Sequence, residues 1–197
     1  MQVGTKMSDT EKFFSKIALT GGCSFLGNLF LKRVADMGHV SEVHIFDVTP
    51  PQVVSKKFIF HRVDITKDSS TAMIAKTMAQ AKIDVLIHGA LFSGPSRNKT
   101  VHHEVETIGT FNVLNACAEA NIKKLIVTSA TFVYGAYPKN PNFMTERTIP
   151  KPLGPDFVKS RVDAEQQIQE FAKDYPGCAV TVLRFAPILG PNSTNVR

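Results

Sequence analysis

A short β-prone run, "KIALT" (16–20), passes directly into "TGGCSFLG" (20–27) and then into residues with helical spacing. No other stretch restricts the fold as tightly. A strand that turns on glycines into a helix aims the first amides of that helix, and the positive end of its dipole, at the turn. That arrangement binds phosphate. A second feature stands where a dinucleotide site needs it. Asp47 closes the β-rich run "EVHIFD" (42–47), 20 residues after Gly27. A carboxylate there accepts hydrogen bonds from the adenosine ribose and disfavours a 2′-phosphate, which predicts NAD rather than NADP. The middle glycine of the pattern, which lets a pyrophosphate approach the backbone, is replaced by Ser24, whose hydroxyl is expected to be tolerated and to offer a donor to a phosphate oxygen.

Beyond the turn the chain keeps alternating. Further β-rich runs, "FIFHRVD" (58–64), "DVLIHGA" (84–90), "KLIVTSA" (124–130) and "AVTVLRF" (179–185), are separated by longer segments of helical period. Leu26, Leu29, Phe30, Val34 and Met37 form one apolar stripe that stops at Gly38, read as a C-cap. Ser69 or Ser70 is expected to cap the next helix, which carries Met73, Ile74, Thr77 and Met78. Strands that are apolar almost throughout, joined by helices, predict one doubly wound parallel sheet of the α/β class, covered on both faces. Residues 1 to 14, polar until Phe13 and containing a second methionine at Met7, are read as a tail outside it, leaving 15 to 197 as one domain.

Several function classes are excluded or demoted. No apolar run approaches the roughly 20 residues that span a bilayer, and the N-terminus lacks the pattern of a cleaved signal, so a soluble cytoplasmic protein is expected. The formal charge of +6 comes from 23 scattered basic residues whose densest runs are pairs, so nucleic-acid binding is demoted in favour of a solvated basic surface. Cys23, Cys117 and Cys178 contain no C-x-x-C pair and are expected to be reduced. Glycosylation patterns at Asn98 and Asn192 carry no weight without a secretory route.

The turn resembles the TGGxGFxG turn of the extended short-chain dehydrogenase/reductases, the family of nucleotide-sugar epimerases, dehydratases and 3β-hydroxysteroid dehydrogenases. "VDIT" (63–66), "DVLIHGA" (84–90), "GTFNVLNACAEANIKKLIVTSATFVYG" (109–135), "SRVDAE" (160–165) and "LRFAPILGP" (183–191) extend the similarity along nearly the whole chain. The resemblance implies a Rossmann-like sheet of strand order 3-2-1-4-5-6 with NAD at the strands' carboxyl ends. It also implies cofactor contacts at Gly21, Ser24, Phe25, Leu26, Gly27 and Asp47. Asp64 and Ile65 would meet the adenine, Gly89 and Ala90 would face the cofactor, and Arg161 would reach the nicotinamide ribose. A homodimer through the helices beginning near His102 and Pro155 is a further expectation, while any protein partner stays unidentified.

The same resemblance shows what is missing. The family's Ser or Thr falls on Ala130, its acid-base tyrosine on Phe157 and its lysine on Arg161. A phenyl ring carries no proton to exchange, and a guanidinium holds its proton too tightly for a relay. Ser129 and Thr131 point to the other face of their strand, and Lys159 is turned about 200° from Phe157 on a helix. Tyr134 and Tyr137 are the remaining hydroxyls nearby. His88 is read as a hydrogen-bonded strand residue, His102 and His103 as a solvated helix start. Only six residues follow Pro191, where the family places most of its substrate domain. The expectation is a catalytically degenerate NAD-binding module. The alternative is an active oxidoreductase, epimerase or dehydratase with a relocated acid and a substrate domain outside this chain.

Overall fold

The computed structural model describes residues 14–91 and 99–188. Residues 1–13 of the expected tail, the glycosylation-pattern asparagines Asn98 and Asn192, and the final "LGP" with its six following residues lie outside that range. Six parallel strands form one sheet: β1 (Lys16–Thr20), β2 (Glu42–Asp47), β3 (Phe58–Arg62), β4 (Val85–His88), β5 (Lys124–Ala130) and β6 (Ala179–Phe185). Their order is β3-β2-β1-β4-β5-β6, the one expected. The chain therefore reverses its direction of travel between β1 and β4, where it leaves a crevice over the strand ends.

Strand residues alternate between faces, and each face has its own core. Ile17, Leu19, Val43 and Ile45 pack on Leu31 and Val34 of α1 (Phe25–Ala35). Ala18, Phe46, Leu86, Leu125 and Val127 pack on α2 (Ser69–Ala81), α4 (Thr110–Glu119) and α5 (Asp156–Asp174). Ile74 and Met78 of α2 and Val113 of α4 are fully buried there, and burying side chains of this size contributes about 1.5–3 kcal/mol each. A short α3 (Lys99–His103) runs through a π-helical turn, Glu104–Gly109, into α4. Gly109 lets Ile65 pack close to that turn, since a Cβ would come 2.6 Å from Ile65 Cδ1 and the Ile65 side chain would have to shift.

Three local expectations are corrected. In the α1 stripe Val34 is buried and Phe30 and Met37 pack on the core as expected, but Leu31, not Leu29, joins them, Leu29 being 44% exposed, and the helix ends at Ala35 with Asp36 as its cap. Asp68, not a serine, occupies the α2 N-cap position, and Ser70 Oγ instead donates to the Ile65 carbonyl at 3.2 Å. The third and fourth strands end two residues earlier than their apolar runs, at Arg62 and His88. The residues they release, Val63, Asp64, Gly89 and Ala90, line the crevice. Among the described residues no helix is long and apolar enough to cross a membrane.

Candidate nucleotide-binding site

The C-terminal ends of β1 to β4 enclose a cavity of about 380 Å³. A second hollow of about 350 Å³ lies at the opposite ends of the strands, against α1, and is mostly apolar. The first is where an open parallel sheet binds ligands, and it alone gathers the residues singled out from the sequence. Gly21, Ser24, Asp47, Asp64, Ile65, Gly89 and Ala90 all border it.

Its floor is the glycine turn. Gly21 has φ +74°, and a Cβ there would lie 2.5 Å from Ala90 N. At Gly27 a Cβ would overlap the Gly21 carbonyl oxygen. These two glycines let the turn close on β4 and on α1. Ser24 caps α1: its hydroxyl accepts from Gly27 N at 3.0 Å and donates to the Gly21 carbonyl at 2.8 Å. The hydroxyl hydrogen expected to face a phosphate is thus directed into the turn. Phe25 and Leu26 do not border the cavity with their side chains. Their amides open α1 with no partner among the described residues, so they are the donors left for an anion.

Asp47 is fixed in place by backbone amides. Its Oδ2 accepts from Cys23 N at 3.0 Å and its Oδ1 from Val48 N at 2.7 Å, which fixes the carboxylate at the end of β2. Each oxygen keeps a further lone pair for a ribose hydroxyl. The Cys23 thiol donates to the Thr49 carbonyl, and burial pushes its pKa up to about 11. It is no thiolate nucleophile. His88 is fully buried between Thr20 Oγ1, 2.7 Å from Nδ1, and Thr110 Oγ1, 3.2 Å from Nε2. Burial, with the Arg161 charge adding to it, holds its pKa down to about 3. His88 is a neutral structural ring, as expected from the sequence.

Of the positions that the resemblance assigned to catalysis, Phe157 and Arg161 meet at Phe132, outside this cavity. Ala130 ends β5. Phe157, in the first turn of α5, packs edge-on to Phe132 at 5.3 Å and to His102 at 6.3 Å between ring centroids. His102 is only 3% exposed, so the expected solvated helix start is corrected at that residue. Arg161 is buried and paired with Glu106 of the π-helical turn: Nε donates to Oε2 at 2.6 Å and Nη2 donates to Oε1. Its guanidinium carbon lies 5.9 Å from the Phe132 ring centroid.

Three of the neighbouring hydroxyls, those of Ser129, Tyr134 and Tyr137, are committed elsewhere. Ser129 Oγ donates to Glu165, which also accepts from Arg184 Nη2 at 2.7 Å. Tyr134 accepts from Arg184 Nη1 at 2.8 Å and donates to the Thr145 carbonyl at 3.3 Å. Tyr137 donates to the Pro152 carbonyl at 3.2 Å. Lys159 is exposed. Glu106 and Phe132 were not foreseen. The signal for Glu106 was an acid heading the inward stripe Glu106, Thr110, Val113 and Cys117, where every other member is uncharged and buried.

Known proteins resemble this arrangement. The Thermotoga maritima UDP-glucose 4-epimerase, solved with UDP-glucose, superposes with a TM-score of 0.75 at 24% identity, covering 89% of this chain and 57% of its own. WbmH from Bordetella bronchiseptica, solved with NAD+, gives 0.77 at 16% identity, covering 92% and 60%. At such identities these likenesses show the fold. An uncharacterised Mycobacterium tuberculosis protein is 26% identical over 188 residues, 93% of this chain and 50% of its own length. The chain spans about half the length of the curated relatives it matches. The model of one family matches residues 17–197, which takes in all but the first residue of the sheet. On that match, the chain belongs to the NAD dependent epimerase/dehydratase family.

Proposed function

We propose that this chain binds NAD, in preference to NADP, and acts as a nucleotide-dependent binding or regulatory module without acid-base catalysis. The observation that carries the reading is Phe157 packed edge-on against Phe132 at the position assigned to the acid-base tyrosine. No proton can be exchanged there. The residues present fit the dinucleotide: the two glycines admit a close backbone, the Phe25 and Leu26 amides suit a diphosphate, and Asp47 suits an unphosphorylated ribose. A 2′-phosphate would face the Asp47 carboxylate. Bound NAD would supply a hydride acceptor. The relocated-acid alternative rests on Tyr134, whose hydroxyl is held by Arg184 and Thr145. Val101, Ile108 and Phe111 leave 38%, 41% and 54% of their surfaces exposed along residues 99–119, which supports a homodimer through that face.

The test is to give the purified chain NAD+ with UDP-glucose, and separately with a hydroxysteroid, and to follow nicotinamide absorbance and product formation. General acid-base catalysis contributes roughly 10²–10⁴-fold, so turnover is expected to stay at background. Clear turnover that Tyr134→Phe abolishes would overturn the reading and establish a relocated acid.

A further inference from the structure

We propose that this pocket recognises an adenosine 5′-diphosphate group and leaves the nicotinamide end of a dinucleotide without a specific grip, so that ADP-ribose binds about as well as NAD. The proposal deepens the binding reading above and rests on it.

Among the described residues, the polar groups suited to a nucleotide lie over the ends of β1 to β3. Asp47 stands at the ribose position, the Phe25 and Leu26 amides head α1, and Val63, Ile65 and Val105 form an apolar slot for a base. Asp64 borders the slot. Its Oδ1 is taken by Thr66 N and Thr66 Oγ1, while Oδ2 accepts nothing among the described residues. That oxygen suits the exocyclic amine of adenine and repels the O6 of guanine. These elements are enough to hold adenosine and its diphosphate.

A dinucleotide that crosses the switch point between β1 and β4 must lay its second half over β4, β5 and the start of α5. There Ala130 and Phe157 present no polar side-chain atom. Arg161 is the cation in reach, but its Nε and one Nη are already spent on Glu106. To serve a ligand they would have to release a carboxylate whose side chain is 1% exposed. Leaving such a charge unpaired opposes the exchange. The ribose hydroxyls and carboxamide of a nicotinamide ribose would meet phenyl faces, losing water without gaining partners. Among the described residues, the groups suited to recognition therefore lie at the adenosine diphosphate end.

Calorimetric titration of the full chain with NAD+, ADP-ribose and nicotinamide mononucleotide tests this, together with saturation-transfer NMR on bound NAD+. Affinities for NAD+ and ADP-ribose are expected to agree within about threefold, a difference of under about 1 kcal/mol. The mononucleotide should give no heat of binding. Saturation should reach the adenine protons and leave the nicotinamide protons at baseline. NAD+ binding more than about tenfold tighter than ADP-ribose, or nicotinamide protons saturated as strongly as adenine protons, would overturn the inference and leave NAD binding intact. If neither NAD+ nor ADP-ribose binds, both this inference and the reading beneath it are wrong.

Discussion

Replacing Arg161 with Met tests whether the cation at the position the resemblance gives to a lysine serves the fold. Met keeps much of the apolar stem and removes the charge. The carboxylate of Glu106, 1% exposed, then loses both guanidinium bonds. Removing one partner of a buried pair costs about 3–5 kcal/mol, a large share of the roughly 5–15 kcal/mol by which domains are stable. Removing both charges, as Arg161→Met with Glu106→Gln, should restore most of that loss, because no buried charge remains. The coupling in the double-mutant cycle should reach at least about 2 kcal/mol. Acidity supplies the sign. In Arg161→Met the folded-state pKa of Glu106 is raised above its unfolded value near 4.3. The added penalty is therefore small below about pH 4 and grows as pH rises toward 7. The chain has no tryptophan, so urea unfolding followed by far-UV circular dichroism, each variant against the unaltered chain at the same pH, is the suitable assay. A single-variant cost below about 1 kcal/mol, or a double variant as costly as the single, would refute the argument.

Asp47→Ala removes the ribose acceptor and should weaken NAD binding by about 1.5–3 kcal/mol, roughly 10- to 100-fold, as read by calorimetry; an unchanged affinity would sink the assignment. Ser24→Ala deletes the α1 cap and should cost about 1 kcal/mol in chemical denaturation, whereas Ser24→Gly should cost only a few tenths and leave NAD affinity unchanged or improved. His88 is held near pKa 3 by burial against about 6.5 in the unfolded chain, so unfolding takes up a proton below pH 6.5. Its contribution is intact at neutral pH and is lost at up to about 1.4 kcal/mol per unit as pH falls from about 6.5 toward 3. Melting temperature against pH should show that slope, and His88→Gln should flatten it; an unchanged slope would show that the His88 proton is not the cause.

The sheet was legible because its information is local. The apolar runs name the strands, the helical stripes between them force parallel pairing, and right-handed crossovers leave few orders to choose from. Gly21, Gly27 and Asp47 were readable for the same reason, since each answers to a backbone or hydrogen-bond requirement of its own turn. Element ends were less legible. The fourth β-rich run continues past His88 in composition, but β4 ends there and Gly89 and Ala90 border the crevice. Ser24 was expected from the sequence to offer a donor to a phosphate oxygen, and only the turn geometry decides that its hydroxyl hydrogen goes to Gly21 and not outward.

The sequence by itself determined the sheet, the glycine turn, the strand-end carboxylate and which residues, Ala130, Phe157 and Arg161, stand where the resemblance would put a hydroxyl, a tyrosine and a lysine. Tertiary structure decided what packs around them. Glu106 lies 55 residues from Arg161, and nothing in the spacing of either announces the other. Their pairing follows only when the π-helical turn and α5 pack together and exclude water, so that neither charge can be buried without the other.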